Sequence, residues 1–236
     1  MNEQKQEGIV PGRLPLATND RSFHLEPPLG RAFREMWPLG LVFALAAAAG
    51  WWWTPWAGVP LTVLAVFHFS FFRDPERSIP ADVSAIVAPA DGRVTDIKEI
   101  SEDWFLKRET RRVGIFLSIF DVHVNRAPIG GEVKYSQHFP GKFFDARNPA
   151  CSAVNESQVI GIADGDYEVT VKLITGAIAR RILPWCAPGD HLEKGARIGM
   201  IRYGSRAELF LPLDARVAVK IGDKVKGGET VLAYRK

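Results

Sequence analysis

The sequence predicts a mainly β protein: a barrel-sandwich-like β domain with hammerhead repeats, preceded by an apolar α-helical hairpin. The hairpin follows from charge. Between Trp37 and Phe72 there is no Asp, Glu, Lys or Arg, and Thr54-Pro55 interrupts the run near its middle. The β domain follows from period. After Phe72 the apolar residues recur in short alternating runs separated by glycine, as strands with one buried face require. The repeats follow from Gly189-Asp190-His191-Leu192-Glu193-Lys194-Gly195, whose Gly-Asp-x-apolar-x-x-Gly pattern returns as Gly222-Asp223-Lys224-Val225-Lys226-Gly227-Gly228. Each copy reads as a turn, a short strand with its apolar residue inward, and a glycine for a second turn. Two copies are too few for a solenoid.

Taken in order, residues 1–36 read as a polar tail and an interfacial entry, punctuated by Pro11, Pro15, Pro27 and Pro28. Residues 37–72 form the membrane hairpin. Each half approaches the ~20 residues an apolar helix needs to cross the hydrocarbon core. Pro55 breaks the helix by disfavouring the α conformation at Thr54. Trp51, Trp52, Trp53 and Trp56 gather at the break, as aromatic side chains do at a membrane interface. Arg31 and Arg34 precede the first half, and Arg73 and Arg77 follow the second. By the positive-inside rule both ends then face the cytoplasm. A helical hairpin buried in a soluble core is the alternative.

Residues 73–236 make up the β domain. Arg73-Asp74-Pro75-Glu76-Arg77-Ser78-Ile79-Pro80 reads as a proline-punctuated linker. Strands are expected at Ala85–Ala88, Gly92–Ile97, Arg112–Ile119, Gly131–Tyr135, Val159–Ala163, Tyr167–Ile174, Arg197–Ile201, Ala207–Leu211 and Ala215–Ile221. A short helix is expected near Ala177–Leu183.

Composition narrows the function. Lys and Arg total 30 against 27 Asp and Glu, so the balance gives no reason to expect a nucleic-acid partner. Cys151 and Cys186 are too few for a disulfide scaffold and fit a reducing compartment. Five scattered histidines offer no ligand spacing, so no metal is expected. The repeats are similar to the hammerhead units of lipoyl and biotinyl carriers, but no lysine stands out at a hairpin tip for such a modification.

The run Arg202-Tyr203-Gly204-Ser205-Arg206 leads into the alternating Ala207, Leu209 and Leu211. A glycine in a strand pattern marks a bend, a bulge or a close backbone approach. A serine held at a distorted peptide can attack the preceding carbonyl through its hydroxyl, exchanging amide for ester. Elimination from that ester leaves a pyruvoyl group at a new N-terminus. A Gly-Ser pair is equally a common solvated turn, and the remaining motifs weigh against that reading.

Four segments stand in order. They are Phe71-Phe72-Arg73-Asp74-Pro75-Glu76-Arg77, Ala88-Pro89-Ala90-Asp91-Gly92, Phe120-Asp121-Val122-His123-Val124-Asn125-Arg126-Ala127-Pro128 and Tyr203-Gly204-Ser205. With the closing Gly222-Asp223-x-Val225 unit, they closely resemble the phosphatidylserine decarboxylase proenzymes, the short type in particular. The resemblance runs from about Trp37 to the C-terminus. It implies a phospholipid substrate, converted from phosphatidylserine to phosphatidylethanolamine at the cytoplasmic face of the cell membrane. It implies self-cleavage between Gly204 and Ser205 into a β chain (1–204) and an α chain (205–236), with oligomerisation left open. The cofactor would be a covalent pyruvoyl group derived from Ser205, an electron sink of the kind pyridoxal phosphate provides elsewhere.

The family's self-cleaving arrangement is Asp-His-Ser. Asp91 falls on its aspartate and Ser205 on its serine. Its histidine motif, Asp-x-His-x-x-His-x-Pro, reads here Asp121-Val122-His123-Val124-Asn125-Arg126-Ala127-Pro128, so Arg126 replaces the second histidine, the family's presumed base. His123 is then the expected base, Asp91 its orienter if the two meet, and Arg126 a charge stabiliser or phosphate ligand. Lys142, Arg147 and Arg202 are further candidates for phosphate contact, weighed against ordinary solvated charges. A chain starting near Arg73 is expected still to cleave. The competing readings are a pyruvoyl decarboxylase acting on another substrate and a non-catalytic membrane adaptor with a barrel-sandwich domain.

Overall fold

The computed structural model describes residues 28–148, 150–177, 181–202 and 205–236. Two helices come first, α1 (Pro28–Trp53) and α2 (Pro55–Phe71), packed along each other. Thr54 between them is extended, with φ −164° and ψ 143°, the conformation proline imposes on its predecessor. Pro55 then starts α2, where its missing N–H has no partner to lose. α1 begins ahead of the uncharged run, so the expected interfacial entry is already its opening turns. Its stretch Arg34–Trp53 is long and apolar enough to cross a membrane, and α2 is shorter. At the hairpin tip Trp52, Trp53 and Trp56 are 94, 86 and 90 % exposed.

The strands, in chain order, are β1 (Ala85–Val87), β2 (Gly92–Glu102), β3 (Arg108–Leu117), β4 (Val124–Arg126), β5 (Gly131–Phe139), β6 (Ser157–Asp164), β7 (Tyr167–Thr175), β8 (Ile182–Pro184), β9 (His191–Leu192), β10 (Arg197–Ile201), β11 (Ser205–Pro212), β12 (Arg216–Val217), β13 (Lys224–Val225) and β14 (Val231–Tyr234). A one-turn helix, α3 (Cys151–Val154), precedes β6. The largest sheet is a curled half-barrel in the order β13-β2-β3-β11-β7-β6-β5-β9. Two small sheets, β1-β14-β12 and β4-β10-β8, complete the domain.

The main core lies inside the curl. Val113, Ile115 and Leu117 of β3 meet Ala207, Leu209 and Leu211 of β11 there, beside Val171 and Leu173 of β7. Each fully buried Val, Leu or Ile contributes roughly 1.5–3 kcal/mol. A second cluster joins hairpin to β domain: Ala32, Phe71 and Phe72 pack on Val122, Val124, Trp185 and Met200.

Three sequence expectations need correction. Ile182 and Leu183, expected to be helical, lie in β8 and pair with Ile201 and Met200 of β10; pairing with an open strand edge overrides a weak local preference. Residues 178–180 lie outside the described residues. The expected strand Ala215–Ile221 shrinks to Arg216–Val217. The Arg73–Pro80 segment is a docked strap, because Asp74 is buried against Arg126 at 3.0 Å and Arg197 at 2.5 Å.

The two Gly-Asp copies take the same local course. Gly189 and Gly222 have φ of +95° and +96°, and Gly195 and Gly228 have +81° and +80°. The Asp190 carbonyl accepts from the Val133 N–H at 2.8 Å, as the Asp223 carbonyl does from the Val94 N–H at 2.9 Å.

Candidate active site

Ser205 opens β11 in the middle of the large sheet, between Leu117 of β3 and Thr175 of β7. It is fully buried, and its hydroxyl has no hydrogen-bond partner among the described residues. An unpaired buried hydroxyl costs roughly 1–3 kcal/mol, so its presence calls for a reason other than stability. Gly204, the expected source of the attacked carbonyl, lies with Tyr203 outside the described residues.

His123 stands just before β4, and its carbonyl accepts from the Ile201 N–H at 3.3 Å. Ile201 ends β10, the strand from which the chain runs to Ser205. The His123 ring is buried, with its centroid 4.2 Å from that of Phe71, the last residue of α2. Its Nδ1 lies 2.9 Å from the Asp121 carbonyl oxygen. Donating there, Nδ1 carries the proton and Nε2 becomes the basic nitrogen. Burial pushes the imidazole down to about 4, against the opposing pull of Asp121. His123 is therefore neutral at physiological pH, the state a base must occupy.

Asp91 sits in the turn between β1 and β2, beside the other end of β4, where the Arg126 N–H donates to the Pro89 carbonyl at 2.8 Å. Gly92 completes the turn at φ +150°, where a Cβ would overlap the Phe116 carbonyl. The Asp91 carboxylate accepts from Arg77 at 3.0 Å and from the Gly227 N–H at 2.8 Å. β4 thus runs between the two expected partners of Ser205, with His123 just before one end and Asp91 in the turn beside the other. The Asp121 carbonyl is the group seen holding His123 Nδ1, and the strap is what holds Asp91.

Arg126 is buried and committed. Its guanidinium donates to the Gly195 carbonyl at 3.1 Å and to Asp74 and the Pro75 carbonyl at 3.0 Å each. It is a strut beneath the strap. Arg147 pairs with its neighbour Asp145, and Arg202 pairs with Glu35 of α1. Lys142 lies over the Phe144 ring at 5.7 Å. Among the described residues no group of three or more His, Cys, Asp and Glu side chains is gathered to hold a metal ion.

Sequence reasoning missed the other face of β11. Ala207, Leu209 and Leu211 face the core, and Arg206 and Glu208 alternate with them, which ordinarily marks a solvated face. Both are fully buried. Arg206 donates to Glu208 at 2.7 Å, to Thr95 Oγ1 at 2.7 Å and to Asp96. Arg112 reaches Asp96 at 2.9 Å and Glu208 at 3.5 Å. Burial opposes charge on both Asp96 and Arg206, yet the hydrogen bond and charge of Arg206 hold Asp96 below its ordinary range, and the charge of Glu208 with the Asp96 hydrogen bond holds Arg206 above its own.

Comparison with known proteins converges on one family. The family model described as phosphatidylserine decarboxylase matches residues 64–233. A phosphatidylserine decarboxylase proenzyme of Symbiobacterium thermophilum is 46 % identical over 202 residues, covering 84 % of this chain and 93 % of that protein. The protein of the same name from Nitrosomonas europaea is 43 % identical, over 85 % of this chain and 93 % of its own. That of Carboxydothermus hydrogenoformans is 45 % identical, over 82 % and 90 %.

Proposed function

This chain belongs to the phosphatidylserine decarboxylase family, and we propose that it decarboxylates phosphatidylserine to phosphatidylethanolamine with a pyruvoyl group made from its own Ser205. The observation that carries the reading is the Ser205 hydroxyl, buried at the head of a central strand and without a hydrogen-bond partner among the described residues.

Ser205 Oγ adds to the Gly204 carbonyl carbon, the peptide C–N bond breaks, and an ester joins the two residues while the Ser205 nitrogen becomes an amine. Loss of the Ser205 Cα proton then expels the Gly204 carboxylate from Cβ and leaves a carbon–carbon double bond. Addition of water at Cα and loss of ammonia produce the ketone. Neutral His123 is the group to take the hydroxyl proton, and Asp121 fixes which ring nitrogen does so. Asp91 acts, in this reading, by tying the strap through Arg77 to the turn beside β4.

The ketone, conjugated to the next amide, supplies a sink for the electron pair left at the substrate Cα when carbon dioxide departs. The residue present fits such a group: Ser205 is its precursor, and the strand it opens is held between β3 and β7. The apolar hairpin, with four tryptophans exposed at its tip, is read as the membrane anchor. Arg31, Arg34, Arg73 and Arg77, flanking the hairpin, support the cytoplasmic face for the β domain by the positive-inside rule.

The test is Ser205→Ala. Its chain should remain a single band and show no decarboxylase activity. Normal processing in that variant would remove Ser205 from the chemistry, and an intact wild-type chain would favour a non-catalytic adaptor.

A further inference from the structure

We propose that Arg206 is a positioning residue, clamped to β2 so that it holds Ser205 in register before the cut and the head of the 205–236 chain afterwards. The proposal rests on the cleavage reading above. Its ground is the cross-strand row on the outer face of the large sheet. Glu208 of β11 stands opposite Gly114 of β3, which stands opposite Asp96 of β2. Gly114 leaves a gap in that row, and the Arg206 guanidinium fills it; a Cβ on Gly114 would overlap the guanidinium. A register shift between Val94 and Asp96 includes Thr95, whose hydroxyl accepts from Arg206 at 2.7 Å. All three guanidinium nitrogens of Arg206 are therefore occupied, two of them by β2 and one by Glu208.

Such a network is a poor way to gain stability, since well-packed apolar residues often replace buried ion pairs without loss. What it provides is position. Cleavage would free the end of β11 from the chain leading out of β10, and strand ends fray when only their backbone ladder holds them. Arg206 adjoins the reactive residue and bonds to the fragment that ends at residue 204, beyond the strand adjacent to its own. It thereby ties the two products together one residue from the new terminus. A group displaced by about 1 Å loses on the order of a hundredfold in rate, so such a tie acts on turnover more than on lipid binding.

The test starts from the full-length wild-type chain. If that chain is not cut between 204 and 205, the cleavage reading fails. If it is cut, the following outcomes judge the clamp alone. The double variant Arg206→Met, Asp96→Leu removes one charge of each sign and leaves Arg112 paired with Glu208. It should process at least tenfold more slowly than wild type. Its processed fraction should turn over at least tenfold more slowly on phosphatidylserine vesicles with KM within twofold of wild type. Arg206→Lys, which keeps the charge and loses the fork, should fall between the two. Processing and kcat within twofold of wild type in the double variant would overturn the clamp. Hydrogen exchange on the processed wild-type enzyme needs no variant: the Arg206 and Ala207 amides should exchange as slowly as Leu209, and exchange as fast as a free terminus would overturn it too.

Discussion

At the scale of single residues, the site is decided by what burial does to two side chains. Burial sets the Ser205 hydroxyl where no described residue bonds it and holds His123 neutral, with a folded value of about 4 against 6.5 when exposed. The unfolded chain therefore binds a proton at His123 that the folded chain refuses between those two values. Stability from this residue is complete above about pH 6.5 and is lost as pH falls towards 4, up to about 3 kcal/mol. Processing that depends on neutral His123 should likewise hold its rate from pH 8 to about 5 and fall only near 4. A rate that halves at pH 6.5 would point to an exposed histidine. His123→Ala should slow processing strongly, and wild-type processing in that variant would make the histidine structural. Arg126 behaves differently. Arg126→Ala leaves Asp74 with only part of its pairing and should cost about 3 kcal/mol in denaturant titration. The KM for lipid should stay unchanged, and a raised KM with unchanged stability would restore the phosphate-ligand role.

At the scale of elements, the hairpin and the strap pack against the candidate site. Phe71 ends α2 against the His123 ring, the strap pins Asp91 and Arg126, and Glu35 of α1 pairs with Arg202, close before Ser205. These contacts change the expectation for a chain starting near Arg73. Such a chain loses Phe71, exposes His123 and should process at least tenfold more slowly, although it is easier to extract from membranes. Full-length protein should stay with membranes through a high-salt wash, because salt does not screen apolar burial. Wild-type processing of the truncated chain would return the hairpin to a bare anchor. The hairpin was legible in the sequence because charge is absent from it and Pro55 breaks it. The strap was not, because Asp74, Glu76 and Arg77 among prolines look like a solvated linker until Arg126 and Arg197 arrive from distant strands.

At the scale of the whole molecule, residues 205–236 are threaded through the fold. β11 lies between β3 and β7, β13 pairs with β2, and β14 pairs with β1. Both products of a cut should therefore co-elute under native conditions and separate only in denaturant. The core-facing alternation of Ala207, Leu209 and Leu211 made this strand legible. Its opposite face was not, since a buried Arg206–Glu208 pair has the same sequence pattern as an exposed one; only the missing side chain at Gly114 hints at it. The two Gly-Asp turns were legible because positive φ demands glycine at Gly189, Gly195, Gly222 and Gly228. The most direct measurement is mass spectrometry of the purified wild-type chain. Two fragments, 1–204 and 205–236, are expected, the second with a pyruvoyl group in place of Ser205. A single intact chain, or a 205–236 fragment that begins with an unmodified serine, would contradict the self-made cofactor.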